Sequence, residues 1–166
     1  MMANPTFAGL GMELNMIGPT QGENMAEIGT IEFEDGSKFE GELIGDVPNG
    51  HGVLTGPALG RYEGTFEQGK FSGQGCLVMP DGLTYTGSFL EGKFNGLGQL
   101  TQPGGGKYEG EFKDAQFNGK GKLTLADNSV WDGGFSGGAM DGHGVLILPD
   151  GNTITGKYEG GKFIQD

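Results

Sequence analysis

Two histidines are the residues of this sequence best suited to metal binding. His51 and His143 occupy equivalent places in a sequence that repeats every 23 residues, and four repeats separate them. If each repeat supplies two β-strands about 4.8 Å apart, the two imidazoles lie about 40 Å from each other and cannot share a metal ion. We therefore expect both rings to face outward from strands without a catalytic or metal-binding role.

Other candidates for chemistry are equally weak. Cys76 has no second cysteine to pair with, and its counterparts in the other repeats indicate a half-exposed strand position, not a nucleophile beside a base. The segment Asn118-Gly119-Lys120-Gly121-Lys122 resembles a phosphate-binding loop but is the ordinary repeat with two lysines added. The Asp-Gly pairs lack the ligand spacing of a calcium loop. We predict that the protein is not an enzyme and needs no cofactor or metal.

The repeat that carries these residues is two strands long. Its copies begin at Phe39, Tyr62, Tyr85, Tyr108 and Trp131, with a truncated copy from Ile154. Two residues later each copy has a glycine: Gly41, Gly64, Gly87, Gly110, Gly133 and Gly156. Two further on stands a bulky side chain: Leu43, Phe66, Phe89, Phe112, Phe135 and Tyr158. Polar residues lie between them, so this period of two predicts a strand with one buried and one wet face.

The second half of each copy has a glycine pair followed by leucine, as in Gly73, Gly75 and Leu77. Glycine normally weakens a strand. Here we expect aromatic rings to lie flat across both glycines and to supply the core. A further aromatic, such as Phe71, is expected to fold over the edge of that core.

Turn signals separate the strands. Asp35-Gly36, Asp81-Gly82 and Asp150-Gly151 are typical of type I′ hairpins. At the other turn most copies have a glycine that accepts positive φ, but Asp46 and Ala115 stand in two of them, so those hairpins are expected to be the least regular.

Composition limits the class of protein. The chain of 166 residues contains 37 glycines and has a net charge of −12. Nucleic acids select for clustered Lys and Arg, so the acidity argues against them and favours protein partners with basic surfaces. There is no Lys or Arg before Lys38 and no apolar run of about 18 residues, so we expect a soluble, cytoplasmic protein.

The predicted organisation has four parts. Residues 1–15 form an N-terminal arm, 16–38 a degenerate first repeat, 39–153 five full repeats and 154–166 a truncated terminal repeat. That last copy is expected to end after one strand at Lys157-Tyr158. Its unpaired edge could accept a partner strand or a second copy of the protein.

The pattern Tyr-x-Gly-x-Phe-x-x-Gly-x-x-x-Gly-x-Gly-x-Leu at a 23-residue interval resembles the MORN (membrane occupation and recognition nexus) repeat. The resemblance implies an all-β fold, an elongated twisted antiparallel sheet of stacked β-hairpins with 23-residue repeats. It implies less about function, because similar repeats occur in junctophilins, plant phosphatidylinositol-phosphate kinases, a histone lysine methyltransferase, radial-spoke head proteins of cilia and apicomplexan cytoskeletal scaffolds.

Two surfaces could bind partners. The first combines the exposed margin of the aromatic ladder, Tyr158 and an acidic strip. The acids of the strip could alternatively form a solvated face that binds no partner. They are Glu40, Glu42, Glu63, Glu109, Glu111 and Asp132. The second is a basic cluster that keeps anionic lipid open as an alternative: Lys107, Lys113, Lys120 and Lys122. We expect a scaffold or adaptor of a large assembly, cytoskeletal and by analogy ciliary (axonemal). The alternatives are a peripheral membrane tether and a regulatory module of an enzyme complex.

Overall fold

The structure is a computed structural model that describes residues 25–166. The predicted arm (1–15) and the first part of the degenerate repeat (16–38) lie outside the described residues. The described chain forms two compact units that divide between Lys93 and Phe94, and each is described by itself.

Each unit is built from β-strands. The N-terminal unit contains β1 (Ala26–Glu32), β2 (Lys38–Ile44), β3 (Val47–Gly56), β4 (Gly60–Glu67), β5 (Lys70–Val78) and β6 (Thr84–Leu90). The C-terminal unit contains β7 (Lys93–Thr101, from Phe94 onward), β8 (Lys107–Lys113), β9 (Gln116–Thr124), β10 (Val130–Ser136), β11 (Ala139–Ile147), β12 (Thr153–Glu159) and β13 (Lys162–Gln165).

Within each unit the strands follow in sequence order and pair antiparallel. The register brings glycines opposite one another, so that a row of them crosses each unit. In the N-terminal unit this row is Gly29, Gly41, Gly52, Gly64, Gly75 and Gly87. In the C-terminal unit it is Gly98, Gly110, Gly121, Gly133, Gly144 and Gly156. The predicted all-β class of antiparallel hairpins with a 23-residue repeat is confirmed.

Aromatic rings cover the glycine row on one face. Tyr62 is 0% exposed and stacks on Phe71 with ring centroids 3.8 Å apart, while Phe66 and Phe89 meet it edge-on. A Cβ atom on Gly75 would lie 2.6 Å from carbon Cε2 of the Tyr62 ring. The ring can therefore lie against the backbone only because residue 75 is glycine, as predicted. The rings at the start of the full repeats are all buried and form no exposed margin, whereas Tyr158 and Phe163 at the C-terminal end are half-buried.

The first glycine of each pair has a different role from the one predicted. Gly73 and Gly119 have φ values of +57° and +68° and lie at β-bulges, where the register of the hairpin shifts. Their missing Cβ atoms point toward the side chains of Thr65 and Glu111, not toward a ring. Left-handed backbone, rather than ring packing, therefore requires glycine at this position.

A tyrosine hydroxyl donates a hydrogen bond to a backbone carbonyl at each of these bulges. Tyr62 Oη donates to the Thr65 carbonyl at 2.8 Å and accepts the backbone N–H of Ser72 from the opposite strand. Tyr108 makes the same bond to Glu111, and Trp131 substitutes its indole N–H, which donates to the Gly134 carbonyl at 3.2 Å. Burial raises the pKa of the tyrosine hydroxyls far above the ordinary value, so they remain donors. The ring at the start of the repeat thus also supplies a hydrogen-bond donor for a backbone carbonyl at the bulge.

The two-residue turns include the pair that was expected to be irregular. Asp114 and Ala115 both have positive φ, +50° and +63°, and Lys113 still pairs with Gln116. In the other hairpin Gly45 has φ +62° and Asp46 does not have positive φ, which is the sign pattern of a type II′ turn. Both hairpins therefore form, the first with a non-glycine residue in the left-handed region.

The prediction of type I′ turns at the Asp-Gly pairs is wrong. A type I′ turn needs positive φ at both central residues. In Asp35-Gly36, Asp81-Gly82 and Asp150-Gly151 only the glycine has it. The Asp35 carboxylate accepts the Ser37 N–H at 2.8 Å, which holds Asp35 in a right-handed turn before the left-handed glycine. The loops are three-residue connections with a G1 bulge, because the Asp side chain accepts the backbone N–H of the residue two positions later.

The C-terminal end also differs from expectation. The chain does not stop after the strand that contains Tyr158, because β13 pairs with it and sets Phe163 opposite Tyr158. Tyr158 is half-buried and lies edge-on to Trp131, with ring centroids 4.8 Å apart. The predicted unpaired edge at Lys157-Tyr158 is therefore wrong, and Tyr158 belongs to the end of the aromatic core.

Candidate functional site

The residues best suited to catalysis belong to both units and lie on the polar face of their own strands. His51 and His143 are exposed, on β3 and β11 respectively, as expected. Cys76 is half-exposed on β5, and its sulfur accepts a weak hydrogen bond from the Thr86 hydroxyl at 3.6 Å. Among residues 25–166 no three His, Cys, Asp or Glu side chains are grouped so that they could hold a metal ion.

In each unit the acids of the predicted strip lie on the polar face of their strands, opposite the rings. Three of its glutamates are paired with a cation two residues earlier on the same strand: Lys38–Glu40 at 2.8 Å, Arg61–Glu63 at 2.6 Å and Lys107–Glu109 at 2.9 Å. Asp132 pairs across strands with Lys122 at 3.4 Å. Side chains two apart on a strand share a face, so a Lys/Arg-x-Glu pattern was a readable signal for these pairs that the acidic count alone missed.

The other two acids of the strip accept backbone hydrogen bonds at β-bulges. Glu42 Oε1 accepts the backbone N–H of His51, and Glu111 Oε1 accepts that of Lys120, both at 3.3 Å. These carboxylates lie over the bulge glycines Gly50 and Gly119. All six acids of the predicted strip therefore have partners within the chain, although they remain accessible to solvent.

Further negative charge lies in four of the loops that follow the second strand of a repeat. We call these the acidic loops. Residues 33–37, 79–83, 125–129 and 148–152 contain no Lys, Arg or His. Their acids are Glu34, Asp35, Asp81, Asp127 and Asp150. Hydrogen bonds from Ser129 hold the pKa of Asp127 below its usual value, and those from Ser37 do the same for Asp35, so both stay ionised.

The predicted basic cluster is partly neutralised. Lys107 and Lys122 are used in the ion pairs with Glu109 and Asp132. Lys113 and Lys120 are exposed, and neither is in an ion pair among the described residues. In the part of the chain that the structure describes, no helix is long and apolar enough to span a membrane.

Comparison with known proteins identifies the family. A family model described as the MORN repeat matches five consecutive segments: residues 39–60, 62–84, 85–107, 108–130 and 131–153. None of the curated proteins compared with the chain matches it. MORN repeats fit a scaffold or a membrane-binding role and are generally found in non-enzymatic proteins. The matched segments cover more than half of the sequence and coincide with the hairpins described above, and the chain is a member of the MORN repeat family.

Proposed function

We propose that this protein is a non-enzymatic scaffold or adaptor that holds other proteins in a large assembly. The observation that supports this best is the charge of its accessible surface, which combines acidic loops that contain no Lys, Arg or His with ion pairs on the polar face of each unit. A surface of this kind favours basic protein surfaces and disfavours nucleic acid. The assembly is cytoskeletal, with the ciliary axoneme as the preferred example, and the protein acts in the cytoplasm.

Partner recognition is expected at the acidic loops and at the outward acids of the strip. An exposed ion pair contributes about 0–1 kcal/mol, so a basic partner can displace the internal cations of the strip at little cost. The acidic loops need no such exchange. Tyr158, which was a candidate contact, is not part of this surface because it packs on Trp131.

The second candidate function is a peripheral membrane tether, favoured by the unpaired Lys113 and Lys120. Co-sedimentation with phosphatidylserine vesicles separates the two functions, with phosphatidylcholine vesicles as the control. The scaffold predicts that the protein stays in the supernatant with both. Salt-sensitive pelleting with the anionic vesicles alone would overturn the scaffold in favour of the tether.

A regulatory module of an enzyme is the remaining alternative. Affinity purification of the tagged chain, followed by activity assays of the recovered proteins, tests it directly. Recovery of a stoichiometric catalytic subunit would favour this alternative over a structural scaffold.

A further inference from the structure

The polar face of the hairpin that begins at Trp131 differs from the other bulged hairpins at one position. In the copies that begin at Phe39 and Tyr108, a glutamate carboxylate lies over the bulge glycine and accepts the next N–H, as Glu111 does for Lys120. The copy that begins at Tyr62 has Thr65 over its bulge glycine. The equivalent of these residues in the Trp131 copy is Gly134, which has no side chain.

The space that the carboxylate occupies elsewhere is open in this copy. A Cβ atom on the bulge glycine Gly142 would meet no atom within 4 Å, whereas one on Gly119 would lie 2.6 Å from a carboxylate oxygen of Glu111. Among the described residues, no side chain accepts a hydrogen bond from the backbone N–H of His143. The Asp141 carbonyl lies close to Gly134 itself, so the open space is the one over Gly142.

Two lysines flank this opening in the register of the strands. The register places Lys120 opposite Gly134 on one side and Lys157 opposite His143 on the other, so four adjacent strands carry Lys120, Gly134, His143 and Lys157 in one row. Lys122 follows Lys120 on the same face and is paired with Asp132, and Lys157 is paired with Glu159. The row itself contains no acid, and the acid next to it along the strand is the exposed Asp141, which precedes Gly142.

We propose that this opening binds a carboxylate side chain, Asp or Glu, of a partner protein, which takes the place that Glu42 and Glu111 take in their own copies. Lys120 and Lys157 supply the opposite charge, and the bulge at Gly142 supplies the space. The site does not depend on the proposed scaffold function, because it would recognise acidic rather than basic groups.

The test is an NMR titration of the ¹⁵N-labelled full chain with a hexaglutamate peptide blocked at both ends, with blocked hexaglutamine as the neutral probe. We expect the Gly142 and His143 amide resonances to shift with hexaglutamate and not with hexaglutamine. The variant K120Q/K157Q is expected to bind about tenfold more weakly, since two exposed ion pairs are lost. The control K70Q/K93Q removes the same charge from exposed lysines of the N-terminal unit and should bind as the unmodified chain does.

Three outcomes would overturn the proposal. They are an absence of shifts at Gly142 and His143, equal weakening in the two double variants, and a response to phosphatidylserine vesicles without a response to hexaglutamate. The last result would assign the lysines to lipid headgroups. Trp131 fluorescence shows whether each variant is folded, because its ring is fully buried beside the site.

Discussion

Replacing Gly121 with alanine tests the relation between rings and glycines most sharply. The new Cβ would lie 2.6 Å from carbon atoms of the Tyr108 ring. That ring cannot move freely, because Phe117 stacks on it at 3.9 Å and Phe112 and Phe135 meet it edge-on at 5.0 and 4.9 Å. Overpacking of this kind costs about 1–3 kcal/mol. Loss of the hydrogen bond from Tyr108 to the Glu111 carbonyl adds about 1 kcal/mol, for a total of about 3 kcal/mol.

Gly119→Ala is the matched control, two residues away on the same strand. Its backbone has φ +68°, so alanine costs about 1–2 kcal/mol there. The atoms nearest to the new methyl group belong to the exposed Glu111 carboxylate, which can move aside with loss of its long hydrogen bond from the Lys120 N–H. Asparagine tolerates positive φ better, so Gly119→Asn should be milder still, whereas Gly121→Asn should be as harmful as Gly121→Ala.

Thermal unfolding followed by near-ultraviolet circular dichroism measures both effects. At about 2–4 °C per kcal/mol for a chain of this size, Gly121→Ala should lower the melting temperature by about 6–12 °C and Gly119→Asn by a few degrees at most. Equal melting temperatures for the two asparagine variants would refute the separate roles assigned to the two glycines.

Three further predictions concern strain, faces and pH. Ala115→Gly should raise the free energy of unfolding by about 1 kcal/mol, because it relieves the strain of a left-handed alanine at φ +63°. Urea denaturation should therefore show a higher midpoint. An unchanged or lower midpoint would mean that the methyl group is needed for packing. Gly110→Val should unfold or loosen the sheet, since its Cβ would lie 2.5 Å from the Gly121 Cα, whereas Glu109→Gln loses only an exposed ion pair; similar melting of the two would contradict the assigned faces. Burial raises the pKa of Tyr62, Tyr85 and Tyr108, so the stability that these hydroxyls contribute is complete below the unfolded pKa of about 10 and is lost as pH rises above it. The melting temperature should therefore fall less steeply between pH 9 and 11 in the variant Tyr62→Phe/Tyr85→Phe/Tyr108→Phe than in the unmodified chain. An identical slope would exclude these hydroxyls as the cause of the decline.

The part of the fold that follows a period of two could be read from the sequence. Tyr62, Gly64 and Phe66 specify a strand with a buried face, and the ring of Tyr62 does lie over Gly75. The role of Gly73 could not be read in this way, because a glycine needed for positive φ and one needed for close packing look alike. The same ambiguity applies to Asp35-Gly36, whose turn type depends on a side-chain hydrogen bond that a dipeptide does not reveal.

The candidate site was less predictable than the fold. A count of acids identified Glu40 and Glu63 but not their pairing with Lys38 and Arg61, which depends on which side chains share a face. The opening over Gly142 became visible only when the same position was compared across folded copies. The binding surfaces of this repeat are formed by the few positions that the repeated rings, glycines and turn residues do not occupy. The residues at those positions vary from copy to copy.

The most direct test of the proposed function is affinity purification of the tagged chain from its native source at low and high salt. Two variants provide the comparison: the loop variant Asp35→Asn/Asp81→Asn/Asp150→Asn, which keeps the Oδ1 acceptor of each turn, and the strip variant Glu40→Gln/Glu63→Gln/Glu109→Gln. The scaffold predicts a reproducible set of cytoskeletal proteins that is recovered at low salt, diminished at high salt and diminished in at least one variant. Recovery of membrane lipid without such proteins, or partners unaffected by salt and by both variants, would contradict it.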